Sequence, residues 1–172
     1  SLAVNGGMIH CGDSWANPQH GGTSAMPMTE QLLLAQNECT FIWNLADGAA
    51  SGAVVSYVWH DGSVWMTALG GCGRVAAIVR EPRSAVVLSG KGTPLGHARS
   101  LTLRGECYIR DEAKIREWFF PAFGRAVLPN SAKGQQAMAK AMNSPENLVL
   151  QFVPFKRIPY DAHDAMVAAD SM

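Results

Sequence analysis

The stretch Ala53-Val54-Val55-Ser56-Tyr57-Val58-Trp59-His60-Asp61-Gly62-Ser63-Val64-Trp65-Met66-Thr67 decides the fold. Two runs of β-branched and aromatic residues flank Asp61-Gly62. An Asp-Gly pair suits a two-residue hairpin turn, because both turn positions need positive φ. That turn sets a register: His60 stands opposite Ser63, Trp59 opposite Val64 and, if both strands run on, Ser56 opposite Thr67. Opposed residues share a face of the sheet, so two hydroxyls come side by side among apolar neighbours. Such a pair serves either as a cross-strand hydrogen bond or as a polar patch for a ligand.

Beyond Thr67 comes Ala68-Leu69-Gly70-Gly71-Cys72-Gly73-Arg74, then a helical pattern with Val75, Ile78 and Val79 on one face and Pro82 as its stop. Glycines leading into a helix N-terminus make an anion site, because the first helical amides lack partners and the helix dipole favours negative charge there. Arg74 adds a fixed positive charge whose planar fork matches phosphate. The loop lacks the Gly-Lys-Ser/Thr ending of a P-loop, which argues against a P-loop nucleotidase.

Upstream, Thr29 is expected to cap a short helix carrying Leu32, Leu33 and Leu34 to about Asn37, followed by a strand over Cys39–Leu45 and a turn over Asp47–Gly52. Downstream, Ser84–Ser89 reads as a buried strand and His97–Ile109 as an alternating one, with Gly105 marking a bulge. Asp111 is expected to cap a helix that Pro121 ends or kinks. Ser131 caps another, and Asn147–Phe155 forms a final strand that Pro154 closes. Six strands with mostly antiparallel neighbours and helices between them predict a mainly β fold, a closed or nearly closed barrel with peripheral helices. Residues 1–26, rich in Gly, Asn, Ser and His, are expected to be a flexible extension of a domain over residues 27–172. His10, Cys11 and His20 within it have no regular spacing and read as solvated residues rather than a metal set.

The whole chain has 172 residues and 18.4 kDa, of which 48% are apolar, enough for a core and against disorder. Fourteen basic and fourteen acidic residues cancel, which argues against non-specific binding to nucleic acid or an anionic membrane. Charged residues make up only 16%, below the roughly 25% of an average domain, so part of the surface is expected to lie under a partner subunit. No apolar run reaches the ~18 residues of a spanning helix, and the N-terminus has no signal-peptide pattern. Cys11, Cys39, Cys72 and Cys107 form no Cys-x-x-Cys pair, so reduced thiols in a cytoplasmic protein are expected.

In order and spacing, several segments together resemble the FMN-binding split-barrel flavoproteins related to pyridoxamine 5'-phosphate oxidase. These are Asp47-Gly48, Val54-Val55-Ser56, Asp61-Gly62-Ser63-Val64-Trp65-Met66-Thr67, the loop to Arg74, Glu81-Pro82-Arg83 before Val86-Val87-Leu88, Leu101–Cys107 and Val153–Asp161. The resemblance spans Glu38 to Asp161. It implies a six-stranded antiparallel split barrel, an FMN cofactor and a homodimer with the flavin at its interface. It further implies that Cys72, Gly73 and Arg74 hold the flavin phosphate and that Thr67 and Ala68 meet the ribityl chain and phosphate. By the same resemblance, the backbone of Val54, Val55 and Ser56 meets the ring, and Ser100 lies near the pyrimidine.

Two departures stand out. Cys72-Gly73 replaces the hydroxyl that usually precedes the basic residue, leaving the phosphate to backbone amides and Arg74. The substrate-binding Arg/His set of the vitamin oxidases is missing near the C-terminus, which argues against vitamin metabolism. The function expected is an FMN-dependent oxidoreductase acting on a small molecule or a nicotinamide donor. A flavin carries redox chemistry itself, so no protein acid or base is singled out, and Trp59, Trp118 and Phe120 are candidates for the substrate side. The alternative is a non-catalytic flavin-, deazaflavin- or haem-binding protein of the same fold, with His97 or His163 as the candidate iron ligand. A cysteine-dependent enzyme built on Cys72 is a third reading, for which the sequence places no partner histidine.

Overall fold

The computed structural model describes residues 26–171, so the extension expected over residues 1–26, including His10, Cys11 and His20, lies outside the described residues but for Met26. In chain order the elements are α1 (Met28–Ala35), β1 (Glu38–Asn44), β2 (Ala50–Ser56), β3 (Val58–His60), β4 (Ser63–Leu69), α2 (Gly73–Arg80), β5 (Arg83–Ser89), β6 (Arg99–Ile109), α3 (Ala113–Val127), α4 (Ala132–Met142), β7 (Asn147–Asp161) and α5 (His163–Asp170).

The hairpin forms where Asp61-Gly62 places it, with φ of 48° and 69° at the two turn residues. Its register is the expected one, with His60 opposite Ser63, Trp59 opposite Val64 and Val58 opposite Trp65. There the ladder stops. Tyr57 breaks the extended run in two: Ser56 pairs with Glu38 on β1, while Thr67 pairs with Val149 on β7. The expected Ser56–Thr67 pair is therefore not made. Tyr57 is the cause, being 2% exposed, with its hydroxyl donating to the Leu33 carbonyl at 2.8 Å and its backbone N–H to the Asn37 carbonyl at 3.0 Å. Turned inward onto the C-terminal side of α1, it cannot continue the ladder with β4.

The same break corrects the strand count from six to seven, in the sheet order β2-β1-β5-β6-β7-β4-β3, all neighbours antiparallel. The two edge strands, β2 and β3, are joined in the chain by Tyr57 alone. The sheet therefore curls until its edges meet, as a split barrel must. Inward positions of alternate strands fill the interior, among them Phe41, Val64, Met66, Val86, Leu88, Leu101, Leu103 and Phe152, each 0–1% exposed. Each such side chain contributes about 1.5–3 kcal/mol by leaving water. Trp65 and Val149 point outward and are covered by Phe119, Phe120 and Phe123 of α3.

Several local expectations change. α3 starts at Ala113 behind Glu112 rather than under an Asp111 cap, the Asp111 carboxylate accepting from Arg116 instead, and β2 begins at Ala50, inside the turn expected over Asp47–Gly52. α1 starts at Met28, behind Pro27 rather than Thr29, and the Pro27 carbonyl accepts from Glu30 and Gln31. α3 runs through Pro121, because the buried Phe119, Phe120 and Phe123 hold both halves against the sheet. β7 runs through Pro154 and Pro159. Beyond Phe152 it has only β6 as a neighbour, so a missing N–H can face the open side. On α2 the inward residues are Val75, Ala77 and Ile78, while Val79 is 68% exposed. Gly105 does sit at a register shift. A Cβ there would collide with the Val153 carbonyl and come within 2.7 Å of the Phe152 ring, so only glycine fits. No helix among the described residues is long and apolar enough to cross a membrane.

Replacing Tyr57 by Phe keeps the ring but leaves the buried Leu33 carbonyl without its donor, a loss of about 1–3 kcal/mol. Urea denaturation should show that loss with an unchanged m value; a change within about 0.5 kcal/mol would show that the anchor is dispensable.

Candidate functional site

β4 ends at Leu69, and the chain turns into α2 over Gly70-Gly71-Cys72. The turn is held by Gly70 N–H donating to the Glu146 carbonyl at 2.8 Å and Cys72 N–H donating to the Leu69 carbonyl at 3.0 Å. The positive-φ glycines of the described residues are Gly48, Gly62, Gly92 and Gly96, so backbone conformation does not demand glycine at 70, 71 or 73. Nor does crowding at two of them, since a Cβ on Gly71 or Gly73 would meet nothing within 4 Å. What these residues provide is open access to the loop backbone and the start of α2. Cys72, the N-cap of α2, makes no side-chain capping bond, and the first turn carries no acidic residue. By contrast, Ser131 caps α4 by accepting from the Gly134 N–H. The positive end of α2 is thus left to whatever enters from outside.

Arg74 stands in that first turn. Its Nε is the one buried side-chain nitrogen or oxygen among the described residues with no hydrogen-bond partner. A buried donor left unpaired costs about 1–3 kcal/mol, more when charged, so the geometry calls for an acceptor. Arg74, Gly73 and Cys72 line a cavity of about 390 Å³ with Trp43, Leu45 and Ser51. Trp43 and Ser51 are cross-strand partners on β1 and β2, and the curl of the barrel brings them against α2. A guanidinium, uncapped helix amides, a hydroxyl and an indole converge there, a donor set suited to a phosphate ester with an aromatic body. A second cavity, of about 470 Å³, shares Cys72 with the first and is lined also by Leu69, Gly70, Gly71, Pro145 and Glu146.

Of the residues expected to touch a cofactor, Cys72, Gly73 and Arg74 share the first cavity. Val54, Val55 and Ser56 follow Ser51 along β2, with Val54 66% exposed and Val55 packed against the core. Thr67 has its hydroxyl donating to the Leu148 carbonyl at 3.0 Å, and the Ala68 side chain is buried. Ser100 pairs with Ser89 at the end of β5 remote from α2. Trp59 donates to the Glu30 carboxylate at 2.7 Å under the Arg157 guanidinium. Trp118 lies against the exposed His60 ring, and Phe120 is 1% exposed. His97 and His163 are both exposed. No group of three or more His, Cys, Asp or Glu is placed to hold a metal among the described residues. Trp43, Leu45 and Ser51 were not expected at the site; only the closure of the sheet brings them there.

No family model and no curated protein matches the chain. Solved structures do. The hypothetical protein Rv2991 from Mycobacterium tuberculosis superposes with a TM-score of 0.69 at 14% identity, over 87% of this chain and 93% of that one. A Clostridium acetobutylicum protein related to general stress protein 26, of the pyridoxinephosphate oxidase family, gives 0.55 at 12% identity, over 79% and 93%. An F420 reductase gives 0.56 at 15% identity, over 77% and 98%. The split-barrel fold is common to all of them.

Cys39, Cys72 and Cys107 are free thiols. Burial pushes Cys39 up to about 12, with the neighbouring Glu38 charge adding to it, and burial likewise pushes Cys107 up to about 12. Iodoacetamide at pH 8 followed by peptide mapping should therefore label Cys72 and spare Cys39 and Cys107 until the protein is denatured. Labelling of Cys107 as fast as Cys72 would contradict the packing described.

Proposed function

We propose that this chain binds a flavin through its 5'-phosphate, FMN being the smallest cofactor that carries this unit, and acts as a homodimeric oxidoreductase. The observation that carries the reading is the buried, unpartnered Nε of Arg74 at the uncapped start of α2. The shared fold with an F420 reductase and with a member of the pyridoxinephosphate oxidase family supports a flavin or deazaflavin in that place.

The residues present fit such a cofactor. Arg74 and the first amides of α2 would hold the phosphate. Ser51, on the facing wall of the same cavity, supplies the hydroxyl that Cys72-Gly73 lacks. From Ser51 the outward edge of β2 runs to Ser56, about 17 Å at ~3.3 Å per residue. That run makes Val54–Ser56 the track for the ring. The Thr67 proton is committed to Leu148, so Thr67 can contribute only as an acceptor or after breaking that bond. Bound there, the flavin supplies hydride or electron transfer. The chain itself anchors the phosphate, orients the ring and excludes water, and needs no acid or base of its own.

Exposed apolar side chains support a dimer: Val54 on β2 is 66% exposed, and Val153 and Phe155 on β7 are 40% and 64% exposed. A second copy covering β2 would bury Val54 and close over the β2 track, in keeping with a chain that has only 16% charged residues. A small-molecule substrate or a nicotinamide donor would then meet the flavin at the interface.

Changing Arg74 to Ala removes a charge-assisted contact of about 1.5–3 kcal/mol, so FMN affinity measured by absorbance titration should fall about ten- to hundredfold. Unchanged affinity in a variant with native circular dichroism would overturn the phosphate assignment.

A further inference from the structure

We propose that Arg80 and Asn44 are positioning residues for the phosphate site, clamping its two walls together without touching the ligand. This rests on the flavin reading above and adds the residues that hold the site in shape. One wall is the start of α2, with Cys72, Gly73 and Arg74; the other is the β1–β2 hairpin, with Trp43, Leu45 and Ser51. Among the described residues no backbone hydrogen bond joins α2 to that hairpin.

The tie is made instead by side chains at the far end of the helix. Arg80, in the last turn of α2, donates from its guanidinium to the Asn44 carbonyl at 2.7 Å. Asn44 lies between Trp43 and Leu45 in the chain, so the held carbonyl fixes the backbone from which both wall residues project. The Asn44 side chain donates in turn to the Arg83 carbonyl at 3.2 Å, just beyond the end of α2. The two bonds thus run in opposite directions between the same two segments.

Each segment is itself fixed. In the hairpin, Leu45 N–H donates to the Ala49 carbonyl at 2.8 Å and Ala49 N–H to the Asp47 carboxylate at 3.0 Å. Trp43 pairs with Ser51 on β2 and with Ser84 on β5. Beyond α2, the Glu81 carboxylate accepts from the Arg83 backbone N–H and from its guanidinium. The Pro82 carbonyl accepts from Cys107 N–H at 2.8 Å. Two preformed pieces joined by a reciprocal pair of bonds keep a set spacing.

Neither Arg80 nor Asn44 lines the cavity, and Arg80 stands about 9 Å along the helix from Arg74. Their effect is therefore on geometry, and binding groups lose their value when displaced by more than about 0.5 Å. A phosphate needs Arg74 and the helix amides from one wall and Ser51 from the other, so it feels a loosened clamp most. A ring on Val54–Ser56 feels it least, because β2 keeps its pairing with β1.

Absorbance titrations of the full chain with FMN and with riboflavin test this, on variants with native circular dichroism. Arg80→Ala should weaken FMN about tenfold and leave riboflavin within about twofold. Arg80→Lys, which keeps a donor at the same place, should recover most of the loss. Asn44→Ala should lower the preference for FMN in the same way, and it carries the test should Arg80→Ala fail to fold. In an Arg74→Ala chain, Arg80→Ala should change FMN affinity by no more than about twofold, since the two residues act on one contact. Unchanged FMN affinity, equal losses for both ligands, or losses at Arg74 and Arg80 that simply add would each overturn the clamp and leave the Arg74 reading standing. An Arg80→Lys chain as weak as Arg80→Ala would overturn it too. A native chain that binds FMN and riboflavin equally overturns the phosphate reading, and this one with it.

Discussion

A buried phenol hydroxyl must find an acceptor or lose the hydrogen bond it made in water. Tyr57 finds the Leu33 carbonyl, and much else depends on that choice. To reach it the residue turns inward, its backbone N–H is taken by Asn37, and the extended run on either side is divided between two strands. β2 joins β1 and β3 joins β4. Because those two strands are the edges of the sheet, a single residue joins edge to edge. The Asn37 side chain, donating to the Ala126 carbonyl at 3.0 Å, ties the same corner to α3. The barrel's closure, the packing of α1 and the seat of α3 thus converge on one hydrogen-bonded corner.

Closure in turn creates the mouth where Trp43 and Ser51 face α2. The other arginines near this end of the barrel are provided for. Arg83 pairs with Glu81, holding that carboxyl down to about 2 mainly through its side-chain hydrogen bond. Arg80 donates to the Asn44 carbonyl at 2.7 Å. Further away, Arg116, Arg99 and Arg157 each have a carboxylate. Arg74 is different: its Nε is sealed from water and meets no acceptor. A buried guanidinium nitrogen left without an acceptor beside the start of α2 is the feature on which the proposed anion site rests.

The parts legible in the sequence are those fixed by neighbours along the chain. Asp61-Gly62 specifies its own turn because positive φ is a local demand. Gly105 marks its bulge because the crowding there excludes a Cβ. The start of α2 is readable because glycines, Arg74 and an apolar face follow one another directly. The parts that were not legible are set across the sheet. Nothing adjacent to Tyr57 announces that its hydroxyl will be drawn to Leu33, so the Ser56–Thr67 pairing looks sound until the third dimension is known. Pro154 and Pro159 look like strand ends, yet an edge with no second neighbour tolerates them. Trp43 and Ser51 precede Arg74 in the chain by wide intervals, and only the curl of the sheet makes them its neighbours. The split of the barrel came from family resemblance, and the cavity residues only from the fold.

The central claim is that Arg74 holds a flavin by its phosphate, and riboflavin, which is FMN without that group, addresses it most directly. Affinities of both ligands for the native chain and for Arg74→Ala make a closed cycle in which ring contacts cancel. The account predicts that the native chain prefers FMN over riboflavin by about tenfold or more and that the preference disappears with Arg74. Equal binding of the two by the native chain, or a preference that survives the loss of Arg74, would contradict it.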